Sequence, residues 1–336
     1  MGVGGPARYL VETKREAEVL QTLEWARRRG VRLLVLGGGS NLLVADDGVD
    51  ALVVRIGLRG ISIREAEKTV EVTASAGEAW DELVQLAVDS GWAGLECLSG
   101  IPGLVGATPI QNVGAYGQEV SGTIVSVRVL DLRTGLIADL PGGQCGFAYR
   151  DSRFKSVEPG RHVILAVTYR LIRGGTPTTG YAEVARHLEA RGVATPSLAD
   201  VRESVLAIRR SKSMVIEAGD PNRRSCGSFF TNPIVTAEDV AGIERLVADA
   251  SMPRWPQPDG RVKLSAAWLI ERAGFPRGTR EGPVGLSTRH ALAIVAHDGA
   301  CARDVLRFAR RLQDGVRTRF GVTLTPEPVF WGIEAG

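Results

Sequence analysis

Residues 32–41, Arg32-Leu33-Leu34-Val35-Leu36-Gly37-Gly38-Gly39-Ser40-Asn41, set an apolar run directly against three glycines. The run reads as a buried strand, and the glycines as a turn whose backbone N–H groups can come close to an anion. Upstream, Thr13 and Glu16 read as a capping box, Val19, Leu20, Leu23 and Ala26 form one apolar stripe, and Gly30 stops the helix. Downstream, Asp46, Asp47 and Gly48 turn the chain into a second apolar run, ALVVRI at 51–56. The opening is therefore a small α/β unit. Its turn is no dinucleotide fingerprint, because Leu42 stands where G-x-G-x-x-G requires Gly or Ala, and no Walker A sequence occurs in the chain. On its residues alone it is a phosphate-binding turn or an ordinary tight turn.

Outward from this unit, residues 70–76 read as a strand, and Trp80, Leu83, Val84 and Ala87 repeat at helical spacing until Gly91. The glycine-rich stretch 94–122 is too long for a hairpin loop and too apolar for a linker. Within it, Ser99-Gly100-Ile101-Pro102-Gly103-Leu104-Val105-Gly106-Ala107 places glycines three apart, and Gln111-Asn112-Val113-Gly114-Ala115-Tyr116-Gly117 follows closely. Glycine-rich loops on separate strands suit opposite sides of one pyrophosphate; a compact Ω-loop with structural glycines has the same composition. Residues 124–130 and 163–171 read as strands, and 174–180 as a turn-rich break. A more helical region follows a boundary placed near 200–206. There Asp200 with Glu203 and Thr236 with Asp239 resemble caps. Val240, Ile243, Leu246 and Val247 make one stripe, and Val305, Ala309, Leu312, Val316 and Phe320 another.

Composition excludes several classes. Subtracting 38 acidic from 41 basic residues leaves +3 over 336 residues, which is no nucleic-acid polycation. No apolar stretch approaches the roughly 20 residues that span a bilayer. The first sixteen residues mix Lys, Arg and Glu without an apolar h-region, so a cytoplasmic protein with reduced thiols is expected. Cys97, Cys145, Cys226 and Cys301 make no CxxC pair, and the four histidines never fall at i, i+4, so no metal site is expected.

Three short segments offer chemistry. Tyr149-Arg150-Asp151-Ser152 presents an arginine in a polar cluster. Gly227-Ser228-Phe229-Phe230-Thr231-Asn232-Pro233 sets a serine between glycine and two aromatics. Glu327 stands between Pro326 and Pro328, which stiffen the backbone and forbid a helix. Each also has a bland reading, as a surface arginine, a turn serine and an exposed glutamate.

Taken together, VLGGGSNLLV, GIPGLVGATPIQNVGAYG, YRDSRFK, CGSFFTNP, VKLSAAWLIERAGF and LTPEPVFWG occur in the order found in the MurB family, which this chain resembles from about residue 3 to residue 332. The resemblance implies an α+β flavoenzyme with the two-subdomain FAD-binding fold of the vanillyl-alcohol oxidase type plus a C-terminal α+β substrate-binding domain. The implied division is 1–56 and 57–203 for the FAD subdomains, 204–320 for the substrate domain, and 321–336 for a segment returning toward the flavin. The family reduces the enolpyruvyl ether of UDP-N-acetylglucosamine enolpyruvate to UDP-N-acetylmuramate for peptidoglycan, with NADPH as electron donor. A monomer with no membrane or nucleic-acid partner is expected.

By this resemblance, Gly37, Gly38, Gly39, Ser40 and Asn41, with Ser99, Gly100, Ile101, Pro102, Gly103 and Gly106, hold FAD, joined by Asn112, Gly114, Ala115 and Tyr116. Arg150 matches the guanidinium that stabilises charge on the enolpyruvyl carboxylate, Ser228 the proton donor to C2, and Glu327 the catalytic glutamate, for which a raised pKa is expected. Tyr181, Lys212 and Asn232 match positions that hold the substrate's diphosphate and sugar, and His290 falls near the nicotinamide or substrate. The chain departs from relatives at Ala296 and Met214, where Asn and Pro are common, and opens at Met1-Gly2-Val3-Gly4-Gly5, within the family's V-G-G-P-A segment. Rival readings are a same-fold FAD reductase or oxidase of another nucleotide sugar, and a flavin- or nucleotide-binding regulatory protein without turnover.

Overall fold

The computed structural model describes residues 1–247 and 252–333. Two compact units emerge: Ala7–Gly39 with Asp50–Val215, and Met1–Pro6 with Ser40–Val49 and the chain from Ile216 onward.

In the first unit the opening α/β element forms a three-stranded sheet with Val49–Ile56 between Ala7–Thr13 and Leu33–Leu36. Leu33–Leu36 runs parallel to Val49–Ile56, with Leu33 opposite Leu52 and Leu36 opposite Arg55. The central strand buries Ala51, Leu52, Val53 and Val54 in succession, as a strand covered on both faces does. Leu33–Leu36, expected to be buried, is an edge strand and only half-buried. Helix α1 (Glu16–Arg29) buries Val19, Leu23 and Ala26, and Gly30 ends it at φ +61°. Its cap differs from the Thr13–Glu16 expectation: Arg15 is the N-cap, with Glu18 folding back onto the Arg15 N–H. Thr13 is buried at the strand end, its hydroxyl donating to the Arg55 carbonyl at 3.4 Å.

The larger sheet of this unit is antiparallel, in the order Ile137–Pro141, Ile124–Asp131, His162–Arg173, Thr69–Ser75, Ile61–Glu65. Thr69–Ser75 alternates strictly, burying Val70, Val72 and Ala74. Helix α2 (Trp80–Asp89) packs Trp80, Leu83, Val84 and Ala87 into the same core, and the Trp80 ring lies 5.7 Å from Tyr169. Two further helices close the unit: α3 (Ala182–Ala190) and α4 (Leu198–Ser211) bury Val184, Leu188, Val201, Val205 and Ile208 against Cys97. Ser197 and Asp200 form the capping box of α4, in place of the expected Asp200–Glu203 pair. The helix runs straight through 203/204, where a domain boundary was expected, and the first unit continues to Val215.

The second unit has two three-stranded antiparallel sheets, Ile234–Val235/Val262–Leu264/Arg254–Pro256 and Arg280–Glu281/Val284–Leu286/Ile294–Ala296. Helix α5 (Ala237–Leu246) has the expected Thr236–Asp239 box and buries Val240 and Ile243; it stops at Leu246, which is exposed. Helix α6 (Ala266–Arg272) and the long α7 (Ala302–Phe320) complete the core, α7 burying Val305, Ala309, Leu312, Val316 and Phe320 along the stripe read from sequence. Val329–Trp331 adds in parallel to Leu42–Val44, so the C-terminal segment is held beside the stretch that follows the triple-glycine turn. Among the described residues no helix is long and apolar enough to cross a membrane.

Candidate active site

The first unit brings the two glycine loops together. A Cβ on Gly38 would lie 3.0 Å from the Gly103 Cα, and Gly39 and Gly103 adopt φ +67° and +121°. This is a cradle that side chains would fill, built from backbone, and it suits a cofactor diphosphate. The second loop is sewn down along its length. Trp80 N–H donates to the Gly103 carbonyl (3.1 Å), Val105 N–H to Glu78 (2.9 Å) and Gly106 N–H to Ala76 (2.9 Å). That last bond requires glycine, since a Cβ on Gly106 would fall 2.6 Å from the Ala76 Cβ. The Gly100 N–H donates to Asp81 Oδ1 at 2.5 Å, and Arg202 grips the same carboxylate with two nitrogens at 2.7 and 2.9 Å. Burial would raise the Asp81 carboxyl, but these donors outweigh it and hold the group below its ordinary value.

Not every expected flavin residue offers its side chain. The Ser99 hydroxyl is buried and donates to the Glu96 carbonyl at 2.7 Å, and Ile101 packs on the core. Asn112 is buried, its amide nitrogen donating to Glu119 (2.7 Å) and the Ala148 carbonyl (3.0 Å) while its oxygen accepts from Ser121 N–H (3.1 Å). These contacts make Asn112 the knot of the loop.

Among the described non-glycine residues, Asn112, Tyr116, Arg150 and Ser213 have left-handed backbone, at φ +45°, +48°, +55° and +56°. Such conformations persist where the surroundings over-determine them, and they gather at functional sites. Arg150 Nη2 donates to the Gly114 carbonyl at 2.6 Å, and a Cβ on Gly114 would meet Arg150 Nη1 at 3.1 Å. The arginine is thereby docked on the hairpin Gly114–Ala115/Gln118–Glu119, which carries Tyr116 at its turn. Burial pushes the Tyr116 phenol up to about 12. Its ring meets Tyr181 edge-on at 5.4 Å, and Lys212 Nζ stands 5.9 Å from it. Tyr181 is the N-cap residue of α3 and Lys212 the C-cap residue of α4. Two expected substrate residues are thus gathered beside one expected flavin residue. Glu183, which sequence reading passed over although it sits in the Gly180–Glu183 segment, accepts from Lys212 at 2.6 Å and ties the helix ends together. Asp81 was also missed: an acid in the first turn of a helix resembles any other favourable helix start.

The second unit carries the expected hydroxyl and carboxyl, Ser228 and Glu327. Ser228 bridges to Ala293, and Phe229 N–H donates to the Leu292 carbonyl at 2.7 Å. The Glu327 N–H donates to the Phe229 carbonyl at 2.9 Å, and Phe230 bridges to Pro326. A hydroxyl and a carboxyl far apart in sequence are therefore carried on adjoining backbone, both half-buried. Asn41 secures the arrangement, with Nδ2 donating to the Glu327 carbonyl (3.3 Å) and its own carbonyl accepting Val329 N–H (3.0 Å). His290 starts the tight turn that ends at Ala293, whose N–H returns to the His290 carbonyl at 3.1 Å. Asn232 Oδ1 accepts Ala266 N–H at 3.0 Å, at the start of α6.

Comparison with known proteins finds family matches in both units. The family described as UDP-N-acetylenolpyruvoylglucosamine reductase, C-terminal domain, matches residues 220–331, and the FAD binding domain family matches residues 7–140. The chain is 47% identical over 340 residues to the UDP-N-acetylenolpyruvoylglucosamine reductase of Thermobifida fusca (strain YX), covering 99% of this chain and 95% of that protein. The protein of that name in Pseudomonas aeruginosa is 45% identical over 329 residues, covering 97% and 94%. Among solved structures, UDP-N-acetylenolpyruvylglucosamine reductase (MurB) from Thermus caldophilus matches with a TM-score of 0.66 and 26% identity, over 98% of this chain and 94% of that one. With near-complete coverage at this identity, the chain belongs to the UDP-N-acetylenolpyruvoylglucosamine reductase family.

Proposed function

We propose that this protein is an FAD-dependent reductase that converts UDP-N-acetylglucosamine enolpyruvate to UDP-N-acetylmuramate with electrons from NADPH, a step of peptidoglycan precursor synthesis, acting as a cytoplasmic monomer. The observation that carries the reading is the backbone tie between the Ser228–Phe229 segment and Glu327: it keeps a hydroxyl, fit to give a proton to carbon, and a carboxyl on adjoining backbone.

The cofactor's diphosphate would be held by the backbone of Gly37–Gly39 and Gly100–Gly106, where the close approach of Gly38 to Gly103 leaves N–H groups and no side chains. FAD held there would supply the hydride-transfer chemistry between NADPH and the enolpyruvyl double bond. The chain's residues do the rest. The forked N–H groups of Arg150 match the enolpyruvyl carboxylate, over which the arriving negative charge spreads; such donors are commonly worth about 3 kcal/mol of barrier. Ser228 then gives its proton to C2, completing addition of hydride and proton across the double bond. Glu327, protonated or acting through water, stabilises the same charge. Tyr181 and Lys212 hold the substrate's diphosphate, while Asn232 and His290 line the sugar or nicotinamide side.

The test is optical. Purified protein should be yellow, lose its flavin absorbance on anaerobic addition of NADPH, and recover it on addition of UDP-N-acetylglucosamine enolpyruvate. Flavin that bleaches but is never reoxidised by that nucleotide would defeat the reading in favour of another nucleotide sugar, and a colourless protein that takes up no FAD would defeat it outright.

A further inference from the structure

Glu96 has no part in the reading above, yet it is one of the most heavily bonded side chains in the first unit. It is 1% exposed, and both carboxylate oxygens accept. Oε2 accepts Gly94 N–H at 2.8 Å; Oε1 accepts Thr178 N–H and Gln118 Nε2, each at 2.8 Å. Gln118 Nε2 also reaches the Thr178 hydroxyl at 3.0 Å, and Gln118 Oε1 accepts Cys97 N–H at 2.8 Å. The Cys97 thiol donates to the Thr178 carbonyl at 3.3 Å. Thr178 is thus held at its N–H, hydroxyl and carbonyl, all by the 96–97 turn and Gln118.

Two segments meet at this knot. Gln118 belongs to the hairpin that presents Tyr116, and Thr178 lies three residues before Tyr181. Three trans peptides span at most about 11 Å, so fixing Thr178 confines where the Tyr181 ring can go. Gly180, the last residue before it, has open space where a Cβ would sit, which leaves the short span free to pivot. On the far side Glu183 holds Lys212. We infer that Glu96 is a positioning residue for the nucleotide-sugar substrate: one buried carboxylate joins the Tyr116 hairpin to the root of the Tyr181 segment and so sets the gap in which the diphosphate is gripped. The inference rests on Tyr181 and Lys212 holding that diphosphate. Only an acceptor-only group suits the post, since all its neighbours there donate.

The test is a double-mutant cycle on holoenzyme with Glu96→Gln, Tyr181→Ala and their combination. Glu96→Gln turns one oxygen into a donor facing donors; the KM for the enolpyruvyl nucleotide should rise about tenfold, the worth of roughly one unmade buried hydrogen bond, while kcat stays within about threefold. In the Tyr181→Ala background the same change should move KM less than about twofold, because the residue it positions is gone. An equal factor in both backgrounds, or an unmoved KM, overturns the inference. Thr178→Val, which deletes only the hydroxyl that accepts from Gln118, runs the same cycle with a smaller factor if Glu96→Gln does not fold. Amide exchange of the peptide carrying Thr178 to Glu183, measured without substrate, separates this inference from the reaction it rests on. Faster exchange in Glu96→Gln supports the anchor even in a protein inert to the enolpyruvyl nucleotide, a result that would sink the assigned reaction alone. Unchanged exchange refutes the anchor.

Discussion

Gly38→Ala probes the cradle most directly. The added carbon would sit 3.0 Å from the Gly103 Cα and 3.6 Å from its carbonyl carbon, whereas non-bonded carbons rest about 3.5–4.0 Å apart. One loop must therefore retreat by about half an ångström or more. Gly38 is exposed and its φ is not left-handed, so alanine meets no backbone strain and the loops can part with little cost to folding. The damage should fall on a ligand that bridges both. If two backbone hydrogen bonds to the cofactor diphosphate are spoiled at about 0.5–1.5 kcal/mol each, FAD affinity falls roughly 5- to 150-fold. Titration of deflavinated protein with FAD, followed by quenching of flavin fluorescence, measures this, with the thermal midpoint recorded alongside. Gly143→Ala is the control, because a Cβ there meets nothing within 4 Å. FAD affinity within twofold of wild type in Gly38→Ala would refute the assignment of these two loops to one diphosphate.

Ser228→Ala should still permit bleaching by NADPH but slow reoxidation by the enolpyruvyl nucleotide at least a hundredfold, since only the second half-reaction needs a proton at carbon; equal losses in both halves would remove the role. Arg150→Lys keeps the charge but loses both the fork and the bond to the Gly114 carbonyl, so kcat should drop by about two orders of magnitude, and near-normal turnover would exclude Arg150 from the chemistry. Acid should loosen the Gly100 loop through Asp81. Its folded-state pKa lies below the unfolded value near ~4, so the stabilisation is complete above that pH and is lost as pH falls through it toward the folded value. Flavin release followed from pH 7 downward should therefore begin below about pH 4, and Asp81→Asn should release flavin more readily at neutral pH with a flatter acid dependence. An unchanged acid profile in Asp81→Asn would place the effect elsewhere.

Much of this protein is written locally. The stripes of α1, α2 and α7, the strict alternation of Thr69–Ser75 and the Thr236–Asp239 box follow from side-chain spacing, because burial of one face is a property of a single element. The glycine spacings and the motifs around Arg150, Ser228 and Glu327 are likewise visible in a linear chain, and with them the family. Local rules failed where a competing partner was close by. Thr13 was drawn into the sheet and Arg15 took the cap; Ser197, three residues before Asp200, took the cap of α4 and began the helix earlier. What no spacing could reveal are the long-range pairings. Gly38 meets Gly103, Tyr116 meets Tyr181 and Lys212, and Glu327 hangs from Phe229 only because sheets and loops bring distant backbone into register. Tertiary structure alone also decided which polar groups are spent. Asn112 and Ser99 carry the look of ligand-binding residues, but burial obliges their hydrogen bonds to be made within the chain, and so they brace the glycine-rich loops.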